Sequence, residues 1–68
     1  MKNRVEALRK SMGLSQEAFA KALQVSRQTV SSIETSKYNP SLDLAFAISN
    51  FFEKSIEEIF MHERSDIP

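Results

Sequence analysis

The chain has 68 residues, no cysteine and a net charge of zero, with nine basic against nine acidic side chains. That length holds one small domain, near the lower limit for burying a core without staples. The missing cysteines exclude a disulfide framework and thiolate metal ligation. The apolar runs are too short to cross a bilayer, and the opening MKNRVEALRK lacks the apolar centre of a secretory leader, so a cytoplasmic protein with no membrane partner is expected.

Period-two alternation is nearly absent and periodicity near 3.6 recurs in short pieces, which predicts an all-α fold, a compact bundle of five helices. The first helix is expected from about Asn3 to Met12, with Val5, Leu8 and Met12 on one stripe, and Gly13 suits the left-handed position that ends it. Ser15 caps the second, QEAFAKAL, whose Phe19, Ala22 and Leu23 can face inward while Ala20 permits close approach of a neighbour. Ser26 caps the third, Arg27 to about Thr35. The turn signal Asn39-Pro40-Ser41 follows, with Ser41 capping LDLAFAISNFF, in which Leu44, Ala45, Ile48 and Phe52 recur at helical spacing. Ser55 to Glu58 is a capping box opening a short fifth helix that contains Ile59 and Phe60. One domain is expected over residues 1–68, with its core at about 3–61 and a frayed tail at 62–68.

Only Gln24, Val25 and Ser26 join the second and third helices, a link short enough to force the sharp angle of a helix-turn-helix. On a helical wheel with Arg27 at zero, Ser31 falls near ~40°, Thr35 near ~80°, Gln28 near ~100° and Ser32 near ~140°, opposite Val30 and Ile33. A solvated helix face ordinarily carries Lys and Glu, which are better helix formers than Ser and Thr. A face of one arginine, one amide and three hydroxyls instead matches the mixed donors and acceptors of base edges in a DNA major groove. Carboxylates there would repel phosphate, and none of the five positions bears one.

The flanks agree. Gln16 and Ser26 stand at helix starts, where unpaired amides and the helix dipole favour phosphate, and Lys37, Tyr38 and Asn39 follow the third helix. Gln16 and Ser26 also read as plain caps, and Tyr38 as a half-buried lid. Residues 1–40 hold seven bases against three acids, whereas residues 41–68 hold two against six, so that one end suits a polyanion and the other does not.

LRKSMGLSQEAFAKALQVSRQTVSSIETSKYNPSLDLAFAIS, with GLSQEAFA, VSRQTVSSIE and K-x-x-P-S-L in succession, resembles the helix-turn-helix domain of the Cro and phage-repressor family, often called the Xre family. The resemblance covers about residues 3–61. It implies a bundle whose third helix enters the major groove of double-stranded DNA, in a transcriptional regulator, a repressor by preference, of bacterial or phage origin acting at the nucleoid. Base readers map onto Arg27, Gln28 and Ser32 with Thr29 and Ser31 beside them. Phosphate contacts map onto Gln16, Ser26 and Lys37, followed by Tyr38 and Asn39. A structural ion pair maps onto Arg9 and Glu34. Three departures concern local geometry: Gln24 and Glu53 stand where turn glycines are common, and Thr35-Ser36 where Asn-Gly is.

A single small domain touches only a few base pairs, so a symmetric homodimer on half-sites about one helical turn apart is expected. The fifth helix and its surroundings must then supply the contact, with Phe51, Ile56, Phe60 and Met61 as candidates, unless Ile56 and Phe60 simply close the core. The rival function is a protein-interaction module (an antitoxin, antirepressor or accessory factor) on the same fold, which zero net charge keeps open. Catalysis is not expected. His62 stands alone, and neither metal-ligand spacing nor a glycine-rich phosphate loop occurs, so no cofactor, metal or small-molecule ligand is expected.

Overall fold

A computed structural model describes residues 1–61. In chain order the elements are β1 (Lys2–Asn3), α1 (Val5–Ser11), α2 (Gln16–Leu23), α3 (Arg27–Glu34), α4 (Leu42–Phe52), α5 (Ile56–Ile59) and β2 (Phe60–Met61). Four of the helices start on serine: the hydroxyls of Ser15, Ser26, Ser41 and Ser55 accept from the backbone N–H of Ala18, Thr29, Leu44 and Glu58. Each satisfies one of the donors that a helix start leaves unpaired. At α5 the capping box is complete, and the Ser55 N–H donating to the Glu58 carboxylate is the main reason that this carboxyl is held below its usual range.

The core collects Val5 of α1, Phe19 and Ala20 of α2, Val30 and Ile33 of α3, Ala45 and Ile48 of α4, and Ile59 and Phe60 of the last segment. Phe19 stacks on Phe52 at 5.3 Å between centroids and meets Phe51 edge-on at 5.2 Å, which locks α2 to α4.

Four details differ from the expectations. Asn3 belongs with Lys2 to a strand rather than to the first helix, and Lys2 and Asn3 pair antiparallel with Met61 and Phe60. Phe60 therefore lies in β2, one residue beyond the fifth helix. Met12 is exposed, and the inward stripe of α1 is completed instead by Arg9, the residue one turn after Val5. In α2 it is Ala20, not Ala22, that is buried. The expected frayed tail, with His62, lies outside the described residues.

The three turn departures keep the backbone that glycine favours. Gln24, Ser36 and Glu53 sit at φ 62°, 63° and 55°, beside Gly13 at 73°. A side chain in this left-handed region costs roughly 1–2 kcal/mol relative to an unstrained residue. At Gln24 the conformation lets the backbone N–H groups of Gln24 and Val25 return to Lys21 and Ala20 carbonyls, closing α2 and setting the angle at which α3 leaves.

Candidate nucleic-acid interface

α3 is anchored from beneath by Val30 and Ile33, each 1% exposed, which leaves its other side outward. Arg27 and Gln28 are exposed there, with Ser31 and Ser32 half-exposed beside them. The helix forms a ridge between two shallow concavities. One, of about 260 Å³, is lined by Ser26, Gln28, Thr29, Ser32 and Tyr38; the other, of about 300 Å³, by Gln16, Arg27, Gln28 and Ser31. Gln28 borders both.

Two hydroxyls, one on this helix and one on the residue that ends it, already have partners. Thr29 Oγ1 lies 2.9 Å from Ser26 Oγ, which pairs the Thr29 hydroxyl with the cap of the helix. Thr35 Oγ1 donates to the Ser31 carbonyl at 2.9 Å, covering the end of the helix. The groups left to meet a ligand at the crest are therefore the guanidinium of Arg27, the carboxamide of Gln28 and the hydroxyls of Ser31 and Ser32. All can donate, and all but the guanidinium can also accept.

The flanking residues fall on both sides of the ridge. Ser26 is exposed and caps α3 through its hydroxyl, so its contribution to an anion site is the first-turn backbone of that helix. Past the helix, the backbone N–H groups of Lys37 and Tyr38 both return to the Ser32 carbonyl, at 2.9 and 3.2 Å. This folds Lys37, Tyr38 and Asn39 back beside α3 with all three side chains exposed.

Gln16 is half-buried, and its Nε2 donates to Glu34 Oε1 at 3.0 Å. Because the carboxylate only accepts, the amide nitrogen must face it, and the Gln16 oxygen must face elsewhere. Sequence spacing holds no signal for this contact, since the partners are 18 residues apart. Arg9 joins the same carboxylate, with Nε to Oε2 at 2.6 Å and Nη2 to Oε1 at 3.2 Å, and its Nη1 donates to the Leu14 carbonyl at 2.7 Å. The side chains of Arg9 and Glu34 are 8% and 3% exposed. Hydrogen bonding to Glu34 raises the arginine above its already high ordinary pKa, against the opposing effect of burial. The pair ties α1, the loop before α2 and α3 together, and it neutralises the one carboxylate of α3.

A more apolar concavity of about 300 Å³ is lined by Met1, Asn39, Pro40, Leu42, Ala45, Ile56 and Phe60. Leu42 is 68% exposed there, and Phe46 on the same helix is 51% exposed. The four residues expected at a dimer contact do not form one exposed face. Phe60 is buried, Phe51 is half-buried against Phe19 and Phe52, and Ile56 and Met61 are half-exposed. Among the described residues no cluster of His, Asp and Glu could hold a metal ion, and no helix is long and apolar enough to cross a membrane.

A family model described as helix-turn-helix matches residues 5–59. An uncharacterized HTH-type transcriptional regulator of Methanocaldococcus jannaschii is 52% identical over 63 residues, covering 93% of this chain and 96% of its own. The Bacillus subtilis protein YgzD, of the same description, is 42% identical over 66 residues, covering 97% and 100%. A third, from Archaeoglobus fulgidus, is 37% identical over 67 residues, covering 98% and 94%.

Proposed function

The chain belongs to the Xre/Cro-like helix-turn-helix family, a family of DNA-binding transcriptional regulators, and on that premise we propose that it is a sequence-specific repressor reading the major groove as a symmetric dimer. The observation that carries the reading is the exposed side of α3. It offers Arg27, Gln28, Ser31 and Ser32 at the crest of a ridge, and the only carboxylate of that helix is paired with Arg9.

In this reading Arg27 pairs bidentately with guanine, Gln28 with adenine, and Ser31 and Ser32 accept or donate while letting the helix sit deep. Thr29 contributes through its methyl or by steadying Ser26. Ser26 and Gln16 meet phosphate through first-turn backbone amides, Gln16 also through the second hydrogen of an amide already oriented by Glu34. Lys37, Tyr38 and Asn39 hold the opposite rail, fixing register without reading sequence. The protein works in the cytoplasm, on the nucleoid.

Support for the dimer comes from the apolar concavity, because Asn39 lies both in its lining and in the segment assigned to phosphate. In this reading a second copy docks through Leu42 and Ile56 of that concavity and the exposed Phe46, and two α3 helices read half-sites one helical turn apart. Exposure of Leu42 and Phe46 also keeps a protein-interaction role open, and salt separates the two. Duplex binding weakens steeply with added salt through counterion release, whereas an apolar protein contact does not. Selection of bound sites from random duplex DNA tests the proposal. A palindromic consensus with half-sites about 10 base pairs apart is expected, and the absence of any enriched sequence would refute it.

A further inference from the structure

We propose that Asn3 is a positioning residue for the segment Lys37–Asn39, fastening the C-terminal turn of α3 to β1 and through β1 to the core. The inference rests on the reading of that segment as a phosphate contact.

A helix leaves its last carbonyls without intrahelical partners. At the end of α3 most of them are satisfied locally: the Ser31 carbonyl takes the Thr35 N–H, the Ser32 carbonyl takes Lys37 and Tyr38, and the Ile33 carbonyl takes Ser36 at 3.0 Å. Such bonds set the shape of the turn but do little to orient it against the rest of the molecule. Two further bonds do that. Asn3 Nδ2 donates to the Ile33 carbonyl at 2.9 Å, across 30 residues of sequence. Ser36 Oγ donates to the Met1 carbonyl at 2.9 Å, across 35.

The anchor itself is held in place. Asn3 pairs with Phe60 in the two-stranded sheet, and the next residue, Arg4, donates its N–H to the Ile59 carbonyl at 2.8 Å. Ile59 is fully buried and Phe60 nearly so. The other end of the Asn3 amide is also committed, since its Oδ1 accepts from the Val5 N–H at 3.0 Å and so starts α1. One side chain thus begins one helix and restrains the end of another. A carboxylate of the same shape keeps only the acceptor half, and serine is too short to span both partners. The Ser36 tie needs a hydroxyl, so a glycine at that left-handed position would lose it.

The test uses the whole chain, with Asn3→Ser, which can still accept from Val5, and Ser36→Ala, an exposed change that spares the core. Amide hydrogen exchange in the free protein is read first. Exchange at Ser36, Lys37 and Tyr38 should quicken about threefold to tenfold in Asn3→Ser, the loss expected for one hydrogen bond, and less in Ser36→Ala, with Ile48 of α4 unchanged. Equal acceleration at Ile48 in both variants, or none at the turn in either, would overturn the proposal. Duplex titrations follow, using a selected site and unrelated sequences. Asn3→Ser should weaken all of them by a similar factor, and Lys37→Ala should cost less in the Asn3→Ser background than in the parent. Independent, multiplying losses would overturn the positioning role. If the parent itself prefers no duplex, the repressor reading fails, and the exchange measurement, which needs no DNA, still decides whether Asn3 holds the turn.

Discussion

Replacing Glu34 with alanine strands the Arg9 guanidinium. That side chain is 8% exposed and gives two hydrogen bonds to the Glu34 carboxylate, at 2.6 and 3.2 Å. Only the bond from Nη1 to the Leu14 carbonyl would remain. Removing one partner of a buried ion pair costs about 3–5 kcal/mol, because the remaining charge is left without compensation. A domain of this length has roughly 3–10 kcal/mol in total at the usual stability per residue. Glu34→Ala should therefore remove about a third or more of the total stability, with a Tm lower by roughly 12 °C or more. The double variant Arg9→Met, Glu34→Leu removes both charges and fills the space with apolar atoms, a replacement that is often neutral or stabilising. Its Tm should recover to near that of the parent, and Gln16, half-exposed, can turn its freed amide to water. Urea unfolding followed by circular dichroism on the single and double variants measures the coupling. A Glu34→Ala variant within about 1 kcal/mol of the parent would refute the reasoning, since a surface pair is worth no more than that.

Glycine at Gln24, Ser36 or Glu53 relieves a left-handed side chain but adds freedom to the unfolded chain, so each of Gln24→Gly and Glu53→Gly should gain about 0.5–1 kcal/mol in urea unfolding. Ser36→Gly should gain less because it also loses the bond to Met1. Gln28→Ala should lose discrimination at one or two base pairs, at a cost of about 1–3 kcal/mol for the preferred site in competitive titration; an unchanged base preference removes Gln28 from the reading face. Lys37→Ala should weaken all duplexes alike and lower the slope of log K against log salt by about one. Leu42→Glu should leave the helical circular dichroism of the chain unchanged, because that side chain is 68% exposed, while shifting the sedimentation profile toward monomer.

Much of the fold was legible because its punctuation is local. Four serines ahead of apolar runs announce four helix starts, and all four hydroxyls cap there. The division of α3 into an apolar and a polar side follows from its spacing alone, and Val30 and Ile33 lie buried on the side that the wheel assigns to them. Contacts across long sequence separations were not legible. Strands of two residues leave no alternation to detect, so β1 and β2 were invisible, and Asn3 reads as the start of a helix although it lies in a strand two residues before one. Hydrophobic patterning favours Met12 over Arg9 for the inner stripe of α1, since an arginine is buried only when a partner such as Glu34 waits inside. Gln24, Ser36 and Glu53 carry no glycine to mark a left-handed turn, and it was the family resemblance that pointed to all three positions. Around the candidate site the exposed Arg27 and Gln28 could be picked out from sequence, but the tether from Gln16 to Glu34 could not.

Nuclear magnetic resonance of the 15N-labelled protein, titrated with a selected duplex at two salt concentrations, probes the reading surface directly. The largest shifts should fall on Arg27, Gln28, Ser31 and Ser32, with weaker, salt-sensitive ones at Gln16 and at residues 37–39, while α1 stays quiet. Shifts confined to Leu42, Phe46 and the apolar concavity, with α3 unmoved, would contradict the account.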